Sequence, residues 1–486
     1  MSIRASDVRL LSRGDCCELQ ATITGDALGE PFLLWYRFPA ALERLISAND
    51  GDFLIAALLL PAMKTGEPIE IPVPISPMLY RSAQHIETLF QAWDATLTTA
   101  EVRASLRAGS PDTGDEVGLF FSLGVDSHYS LWKNTTDHPL NDDIITQLII
   151  VHGADLYLGD EMDDVFAEMA SNTQMIADRL DKGVVNITTN VADILSALGI
   201  RRGFLGHETI LASVGLALQS IFKKIYVASG STYTDLAPSN AHPLLTPLWS
   251  TERCLFVCDG LEAGRLQKTM AIAQSRLAMD TLRVCWVQEG KYNCGRCAKC
   301  IRTMLALHIA GALAKCRTLP HAVDTDLLRK VRLVLDYDLL FMQEILDALS
   351  CSDADADIRV ALLEVLTKWR AYFERLEKAR KNIDRLIPLR DRFILIDQDM
   401  IRWTLGVGRA AVPFLERDGQ YWGTPLDDET AIREMERLRE DGAQFMVLWW
   451  SEYWWLEHYA KFGQHMRNNY RCLLEDDTVI VFDLAA

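Results

Sequence analysis

Residues 119–131 read LFFSLGVDSHYSL: an apolar run passes directly into a turn of small and polar residues, and an amphipathic segment follows. A strand that ends in such a turn and opens a helix directs backbone N–H groups toward one point, where the helix dipole adds positive potential. Ser122 and Ser127 add hydroxyl donors, and Gly124 allows close approach. Asp126 can brace the turn or hold Mg²⁺. The stretch predicts an anion site, and a plain turn with Ser122 as N-cap is the alternative.

Strands and helices alternate from Val117 to about Ala314, on both sides of this turn. Apolar, strand-like runs are separated by segments with the helical spacing of apolar residues. The candidate strands are residues 117–122, 145–152, 183–189 and 224–230, and the clearest helices are residues 161–180 and 208–222. Because continuous apolar strands separated by helices are typical of parallel sheets, the pattern predicts an α/β domain with a doubly wound parallel sheet.

Four cysteines with the spacing C-x8-C-x2-C-x2-C lie near the end of this region, in RVCWVQEGKYNCGRCAKCIR: Cys285, Cys294, Cys297 and Cys300. Four thiolates on a tight turn that enters a helix suit tetrahedral Zn²⁺ and leave no open position for catalysis. The predicted role is therefore structural, and a redox C-x-x-C pair or buried free thiols are the alternatives. Basic residues of the segment, among them Lys299, can offset the thiolate charge.

The turn and the cysteine cluster together resemble a known family. SLGVDS (122–127) is similar to the S-G-G-x-D-S loop of the PP-loop ATP pyrophosphatases, with Leu123 where those enzymes usually have glycine. Both motifs, in this order, resemble the 7-cyano-7-deazaguanine synthases of the queuosine pathway, whose zinc cysteines have this spacing. The resemblance covers about Val117 to Leu307. It implies a sheet of the PP-loop, adenine nucleotide α-hydrolase-like type with a four-cysteine zinc knuckle.

The resemblance implies that ATP and Mg²⁺ bind at the turn. The implied catalytic residues are Ser122, Asp126 and Ser127. The implied ATP-binding residues are these three with Leu123, Gly124, Val125, Val151, His152 and Gly153. The last three end the second strand of the region, where the backbone of PP-loop folds commonly meets adenine, at the edge where open sheets bind ligands. For His152, a position in the core or in a turn is the alternative.

Two segments between the motifs correspond more weakly to the family. GHETILAS (206–213) stands where the family has a G-R-N segment, so His207 and Glu208 replace an arginine and an asparagine. LLTPL (244–248) is similar to the family's T-P-L. His207 and Glu208 are therefore expected to contact the substrate, and their replacement implies that the substrate has changed.

A third segment, ASGSTYTD (228–235), takes the place of the family's glycine-rich strand end near the substrate. It contributes Gly230 and Asp235 to the expected substrate site. Asp235 orients a substrate amine in one interpretation and caps a turn in the other.

The rest of the sequence predicts further parts around this region. We expect a β-rich N-terminal lobe over residues 1–110 and the PP-loop ATP pyrophosphatase-like domain with its zinc site over residues 111–320. A helical segment over residues 321–388 and a small α/β domain over residues 389–486 follow. The tryptophan-rich stretch 449–459 predicts a core element, or a docking face through which the C-terminal domain binds a protein partner.

Composition limits the partners. The 486 residues carry a formal net charge of −18, so binding to duplex nucleic acid through phosphate contacts is not expected. The apolar run 53–61 is too short to cross a bilayer, and the first residues do not have the apolar core of a signal peptide. We expect a cytoplasmic protein with neither a nucleic-acid nor a membrane partner.

The resemblance implies an ATP-dependent carbon–nitrogen ligase. Such an enzyme adenylates a carboxylate of a small molecule or modified base, releases pyrophosphate, and joins the acid to an amine as an amide, or as a nitrile after a second ATP. Two alternatives remain open at this point: a non-catalytic nucleotide-binding or scaffold protein, and an enzyme that attaches a modified base or amine to a protein partner. A sulfur-transfer enzyme fits less well, because the four clustered cysteines are assigned to metal.

Overall fold

The structure is a computed structural model of the 486-residue chain. It describes all residues except 1, 109–112, 137–143, 201, 239–240, 288, 335, 351–352, 403–408, 418 and 486, and the side chains of 136 and 204. The chain forms two compact units, one of Met1–Ala92 with Leu97–Leu366 and one of Trp93–Thr96 with Thr367–Ala486. Among the described residues, no helix has both the length and the apolar character that a membrane span requires.

A ten-stranded sheet runs through the first unit in the order β10-β9-β6-β7-β8-β3-β2-β1-β4-β5. The strands are β1 (Ile3–Ser12), β2 (Cys16–Thr24), β3 (Phe32–Pro39), β4 (Ile69–Glu70), β5 (Val102–Arg103), β6 (Glu116–Phe120), β7 (Gln147–His152), β8 (Gly183–Thr189), β9 (Phe222–Ala228) and β10 (Leu255–Asp259). Strands β6 to β10 are mutually parallel. The prediction of a mixed α/β fold with a large, largely parallel sheet is confirmed.

The order of the parallel strands fixes where a ligand can bind. The chain enters at β6, places β7 and β8 on one side of it, and later places β9 and β10 on the other. In open α/β sheets such a reversal leaves a crevice at the carboxyl ends of the strands, because the connections leave in opposite directions. The turn that follows β6 lies at this crevice.

The N-terminal residues continue the same sheet. Strand β3 pairs with β8 in antiparallel orientation, with Tyr36 opposite Thr189, and β2, β1, β4 and β5 follow outward. In the part of the chain that the structure describes, the strands of residues 2–108 thus extend the sheet that contains β6 to β10 and do not form a separate sheet. The Ser213 hydroxyl bonds both the Tyr36 hydroxyl, at 2.5 Å, and the Phe53 carbonyl, at 2.8 Å. The N-terminal part therefore supports the helix that contains Ser213.

The α-helices before the second sheet are α1 (Asp52–Thr65), α2 (Pro77–Trp93), α3 (Val125–Thr136), α4 (Asp160–Leu180), α5 (Val191–Ala197), α6 (His207–Ala217), α7 (Arg265–Ile272), α8 (Arg276–Thr281), α9 (Ala298–Ile309), α10 (Thr325–Arg329), α11 (Tyr337–Ala348) and α12 (Ala356–Leu386). Helix α1 is buried from Asp52 to Met63, which explains why its sequence is apolar on every side.

One helix is shorter than its sequence pattern predicts. The apolar spacing predicts a helix over 208–222, but α6 ends at Ala217 and Phe222 begins β9. Phe222 is fully buried and pairs with Glu116 of β6. A fully buried helix and a fully buried strand both read as continuous apolar sequence, so pairing within the sheet decided the boundary.

The second unit has its own five-stranded sheet, in the order β12-β11-β15-β17-β16, and a separate hairpin. The strands are β11 (Phe393–Ile396), β12 (Ala411–Pro413), β13 (Glu416–Arg417), β14 (Gln420–Tyr421), β15 (Phe445–Trp449), β16 (Arg471–Glu475) and β17 (Val479–Asp483), and the helices are α13 (Asp428–Glu440), α14 (Trp455–His458) and α15 (Ala460–Asn469). Trp449, Trp455 and Tyr459 are buried in its core, whereas Trp454 is 40% exposed.

Candidate active site

The turn after β6 contains the residues of the first motif. β6 ends at Phe120 and α3 begins at Val125, so residues 121–124 form the connection. Leu123 has a φ of 61°, a left-handed conformation that costs a residue with a side chain about 1–2 kcal/mol and that glycine adopts freely. Its side chain is fully buried in the apolar cluster of the sheet and α4. The leucine therefore contributes to the core while the backbone keeps a conformation typical of glycine.

Hydrogen bonds keep the turn compact. The Ser127 hydroxyl donates to the Gly124 carbonyl at 3.2 Å, and the Ser122 and Ser127 hydroxyls lie 3.5 Å apart. A Cβ built on Gly124 would lie 3.1 Å from Ser122 Oγ, so a side chain at 124 would press on this serine. Two hydroxyls thus lie side by side next to the N-terminus of α3, where an anion is favoured.

Asp126 on this turn is paired with two cations from α7. Its carboxylate lies 2.9 Å from Arg265 Nη2 and 3.5 Å from Lys268 Nζ. Lys268 is fully buried, and its ammonium also donates to the Ser229 carbonyl at 2.6 Å. Burial lowers the pKa of Lys268, and Asp126 opposes that shift. Of the two roles expected for Asp126, the geometry favours bracing, because its oxygens already hold the two cations.

Gly230 and Arg302 complete this side of the turn. A Cβ built on Gly230 would lie 3.3 Å from Arg265 Nη2, so the strand end after β9 meets the ion pair directly. Arg302 on α9 is buried, lies 3.0 Å from Asp338 and stacks over Phe341 at 4.5 Å. Burial, and after it the charge of Arg265, lower the pKa of Arg302 to about 10.

The end of β7 is arranged differently from the expectation for His152. The imidazole is buried, stacks on Phe166 at a centroid distance of 4.6 Å, and lies 3.3 Å from the Tyr157 carbonyl. Burial lowers its pKa. Gly153 has a φ of 97°, and a Cβ there would lie 1.8 Å from the Thr189 carbonyl oxygen, so only glycine fits. These contacts favour the core alternative for the His152 side chain; Val151, before it, is half-buried.

His207 forms an ion pair at the crevice. Its Nε2 lies 2.8 Å from Asp155 Oδ1, in the loop that follows β7. Burial lowers the pKa of His207, but Asp155 outweighs this effect and raises it overall. The first residue of α6 and the end of β7, which the sequence singles out separately, are thus brought together through Asp155.

Glu208 is buried behind His207. Its carboxylate accepts hydrogen bonds from the Thr246 hydroxyl at 2.5 Å and from the His242 N–H at 3.3 Å. Burial raises the pKa of Glu208 to about 7, although these hydrogen bonds oppose the shift. The TPL segment therefore contacts Glu208, and this carboxyl holds the 241–248 loop against α6.

Asp235 is exposed and bonded within its own turn. Its carboxylate accepts from the Thr232 hydroxyl at 2.9 Å and from the Thr234 hydroxyl at 3.2 Å. These contacts correspond to the turn-capping interpretation of Asp235.

The four motif cysteines come together as the spacing predicts. The Sγ atoms of Cys285, Cys294, Cys297 and Cys300 all lie within 4.8 Å of one another. The Cys285–Cys297 and Cys294–Cys300 sulfur pairs are 4.0 and 3.9 Å apart. A tetrahedral zinc site with Zn–S distances of roughly 2.3 Å has sulfur atoms about 3.8 Å apart, so the donor set could hold a metal ion such as zinc. The ten described cysteines are all free thiols.

Asn293 joins Cys285 to the rest of the cluster. Its side-chain oxygen accepts from the Val284 N–H at 2.9 Å and from the Cys285 N–H at 3.1 Å. Its amide donates to the Leu282 carbonyl at 2.9 Å and to the Thr318 carbonyl at 3.1 Å. This asparagine fixes the backbone at Cys285, nine residues before the first cysteine of the C-x2-C-x2-C turn.

Sequence reasoning missed most of the cations at the turn. The sequence motifs do not include Arg265, Lys268 or Arg302, and they assign Lys299 to offsetting the charge of the thiolates. Burial lowers the pKa of Lys299, and Arg302, Asp155, Arg265 and Asp126 also influence it, so these charges lie within electrostatic range of its ammonium. In the sequence, only the three-residue spacing of Arg265 and Lys268 indicates that the two cations lie on the same face of a helix.

No protein-family model, curated protein or solved structure matches this chain.

Proposed function

We propose that this chain is an ATP-dependent ligase-type enzyme that adenylates a substrate carboxylate with release of pyrophosphate. The activated acid then reacts with ammonia or another amine. The proposal takes its reaction class from the resemblance to the 7-cyano-7-deazaguanine synthases, and its substrate is a small-molecule acid or a modified base bearing a carboxylate. A second round of ATP use would convert the amide into a nitrile.

The excess of buried cations at the turn after β6 carries the proposal. Arg265 and Lys268 share the single carboxylate of Asp126, and Arg302 has one carboxylate partner of its own. The backbone N–H of Arg283 donates to the Leu123 carbonyl at 2.9 Å, and the buried guanidinium of Arg283 forms no ion pair with any described residue. Buried positive charge without a counterion is costly. A polyphosphate supplies that counterion.

The chemical steps place few demands on the protein beyond positioning. A carboxylate oxygen attacks the α-phosphorus of ATP, the bond from this phosphorus to the bridging oxygen breaks, and pyrophosphate leaves. The amine nitrogen then attacks the acyl carbon, the carbon–oxygen bond to AMP breaks, and the amine gives up a proton. The N–H groups and hydroxyls of residues 122–127 and the cations Arg265 and Lys268 would hold the leaving pyrophosphate and neutralise its charge.

Metal ions have separate roles in this proposal. Mg²⁺ binds mainly through phosphate oxygens, which leaves Asp126 to hold Arg265 and Lys268. Zinc at the four cysteines is structural, because a full set of thiolates leaves no open coordination position. By fixing the start of α9, the cluster orients Lys299 and Arg302 toward the crevice.

The test is incubation of the protein with ATP, Mg²⁺ and a panel of carboxylic acids, followed by mass spectrometry of the products. AMP and pyrophosphate in equal amounts, formed only with an accepted acid, are expected. Ser127→Ala should lower the rate at least tenfold, and Ser171→Ala on the exposed face of α4 is the matched control. ADP and phosphate as products would contradict the proposal. Binding of ATP without turnover of any acid would favour the non-catalytic alternative.

A further inference from the structure

Three basic side chains act on the carboxylate of Asp155, on the β7 side of the turn. His207 donates to its carboxylate at 2.8 Å. Burial raises the pKa of Asp155, but the charges of His207, Lys299 and Arg283 outweigh burial and hold it well below the ordinary value. His207, Lys299 and Arg283 therefore all lie within electrostatic range of one carboxylate.

Several polar atoms of this group have no partner among the described residues. Arg283 is 5% exposed, and its Nε and Nη2 are both buried with no hydrogen bond to any residue that the structure describes. These two N–H groups lie on one edge of the guanidinium, the edge that binds two oxygens of a carboxylate or phosphate. In the described part of the chain, His207 Nδ1 is likewise buried without a hydrogen-bond partner. A buried donor with no acceptor costs about 1–3 kcal/mol, and more when it is charged.

Lys299 is the solvent-exposed member of the group. None of the residues that the structure describes forms an ion pair with it. Burial and the charge of Arg302 lower the pKa of Lys299, and Asp155 and Asp126 oppose that shift, so both carboxylates lie within electrostatic range of its ammonium. The main chain of Arg283 contacts that turn from the other side, since a Cβ on Gly124 would lie 3.6 Å from the Arg283 carbonyl oxygen.

We propose that His207, Arg283 and Lys299 form a second anion subsite, beside the phosphate turn, that binds the carboxylate of the acid substrate. The identity of the anion rests on the proposed function, in which a carboxylate oxygen has to approach the negatively charged α-phosphate. Cations between the two anions remove their repulsion and hold the reacting oxygen in place. The bidentate edge of Arg283 orients the carboxylate, and Lys299 lies nearest to the phosphates.

Pyridoxal 5′-phosphate is the probe for this subsite. Its aldehyde forms an imine with a lysine amine, borohydride reduces the imine, and mass spectrometry locates the label. Its phosphate stands in for the carboxylate, and pyridoxal, which has the same aldehyde without the phosphate, corrects for the intrinsic reactivity of each lysine. Labelling is carried out on the full chain with the phosphate turn saturated by α,β-methylene-ATP and Mg²⁺.

For each lysine, the labelling by pyridoxal 5′-phosphate is divided by the labelling by pyridoxal. We expect this ratio to be at least tenfold higher at Lys299 than at the exposed Lys315. Arg283→Gln and His207→Gln, two separate variants, should each bring the Lys299 ratio down at least threefold. Ratios at Lys299 and Lys315 that agree within twofold would overturn the subsite, as would a Lys299 ratio that both variants leave unchanged.

Calorimetry with α,β-methylene-ATP on the same proteins separates this inference from the proposed function. Nucleotide binding with no selective labelling refutes the subsite alone, whereas absence of nucleotide binding refutes the proposed function. Because Arg283 lies two residues before Cys285, zinc content and circular dichroism of Arg283→Gln are measured as well. If that variant misfolds, His207→Gln decides the outcome.

Discussion

The two units each contain a parallel-strand reversal, and the two reversals differ in charge. In the first unit the reversal lies at β6, where the half-buried Arg265 and the buried Lys268 and Arg302 share two carboxylates, Asp126 and Asp338. In the second unit the chain enters at β11, with β12 on one side and β15 on the other. This reversal has buried carboxylates where the first has cations. Asp397 follows β11, Glu452 follows β15, and both are buried. The same local topology thus carries opposite charge.

The two regions also differ in how their polar groups are satisfied. Asp397 accepts backbone N–H groups from Asp399, Ile401 and Arg402 at 2.8–2.9 Å. Glu452 accepts from the Gln398 amide at 2.8 Å and from the Trp454 indole at 3.1 Å. These carboxylates hold their own loops. At the first reversal, Arg283 and His207 have buried side-chain nitrogens with no hydrogen-bond partner among the described residues. Topology creates a crevice in both sheets, and unsatisfied charge distinguishes the one suited to an anionic ligand.

The largest effect is expected from the cysteine cluster, which supports only the first region. Purified protein should contain one zinc per chain, and Cys297→Ser should lose it together with several kcal/mol of stability, because metal binding contributes directly to folding. Hydrogen exchange should accelerate in β6 and α9 but not in β11 and β15. Cys472→Ser, at an exposed cysteine, is the control. Freshly purified, reduced protein without zinc would contradict this prediction.

A second prediction compares charges at the two reversals. Lys268→Met should weaken binding of α,β-methylene-ATP at least thirtyfold, because hydrogen bonds to charged groups contribute about 1.5–3 kcal/mol. Glu452→Gln in the second unit should leave the affinity unchanged within twofold. Calorimetry measures both, and circular dichroism checks that Lys268→Met folds. Equal affinities in the two variants would remove the distinction between the regions.

The pH dependence of stability provides a third test, at Glu208. Its folded pKa of about 7 lies above that of an unfolded glutamate, so the folded state binds more protons between those values. Stability from this carboxyl is therefore complete below about pH 4 and is lost as pH rises through 7, by at most about 3 kcal/mol. Glu208→Gln should flatten that dependence in urea unfolding measured from pH 5 to 8. An unchanged slope would show that Glu208 is ionised throughout.

The smallest effect concerns left-handed residues in the two loops. Leu123→Gly should cost about 2–3 kcal/mol, because the loss of a buried leucine exceeds the relief of its φ. Gln398 also has a left-handed φ, 52°, but it is exposed. Gln398→Gly should therefore change the free energy of unfolding by less than about 1 kcal/mol. Urea unfolding of the full chain measures both. A stabilised Leu123→Gly would show that the leucine contributes little to the core.

Much of the fold could be predicted because its signals are local. The alternation of apolar strands with helices predicts an α/β sheet, and β8 has the predicted bounds, Gly183–Thr189. The three cysteines of C-x2-C-x2-C are close in sequence, so a single turn brings them together. Where two structures share one pattern, as at Phe222, the prediction was wrong because periodicity does not separate a buried strand from a buried helix.

By itself, the sequence determined the strand–turn–helix at residues 119–131, the cysteine cluster and the α/β class, since each depends on neighbours along the chain. Only the tertiary structure decided that β3 continues the sheet at β8 and that Lys268 and Arg302 reach the turn of Asp126. It also decided that Asp155 and His207, 52 residues apart, form one ion pair. The order of strands in the sheet sets these distances, and that order depends on burial and pairing between segments remote in sequence, which no local pattern records.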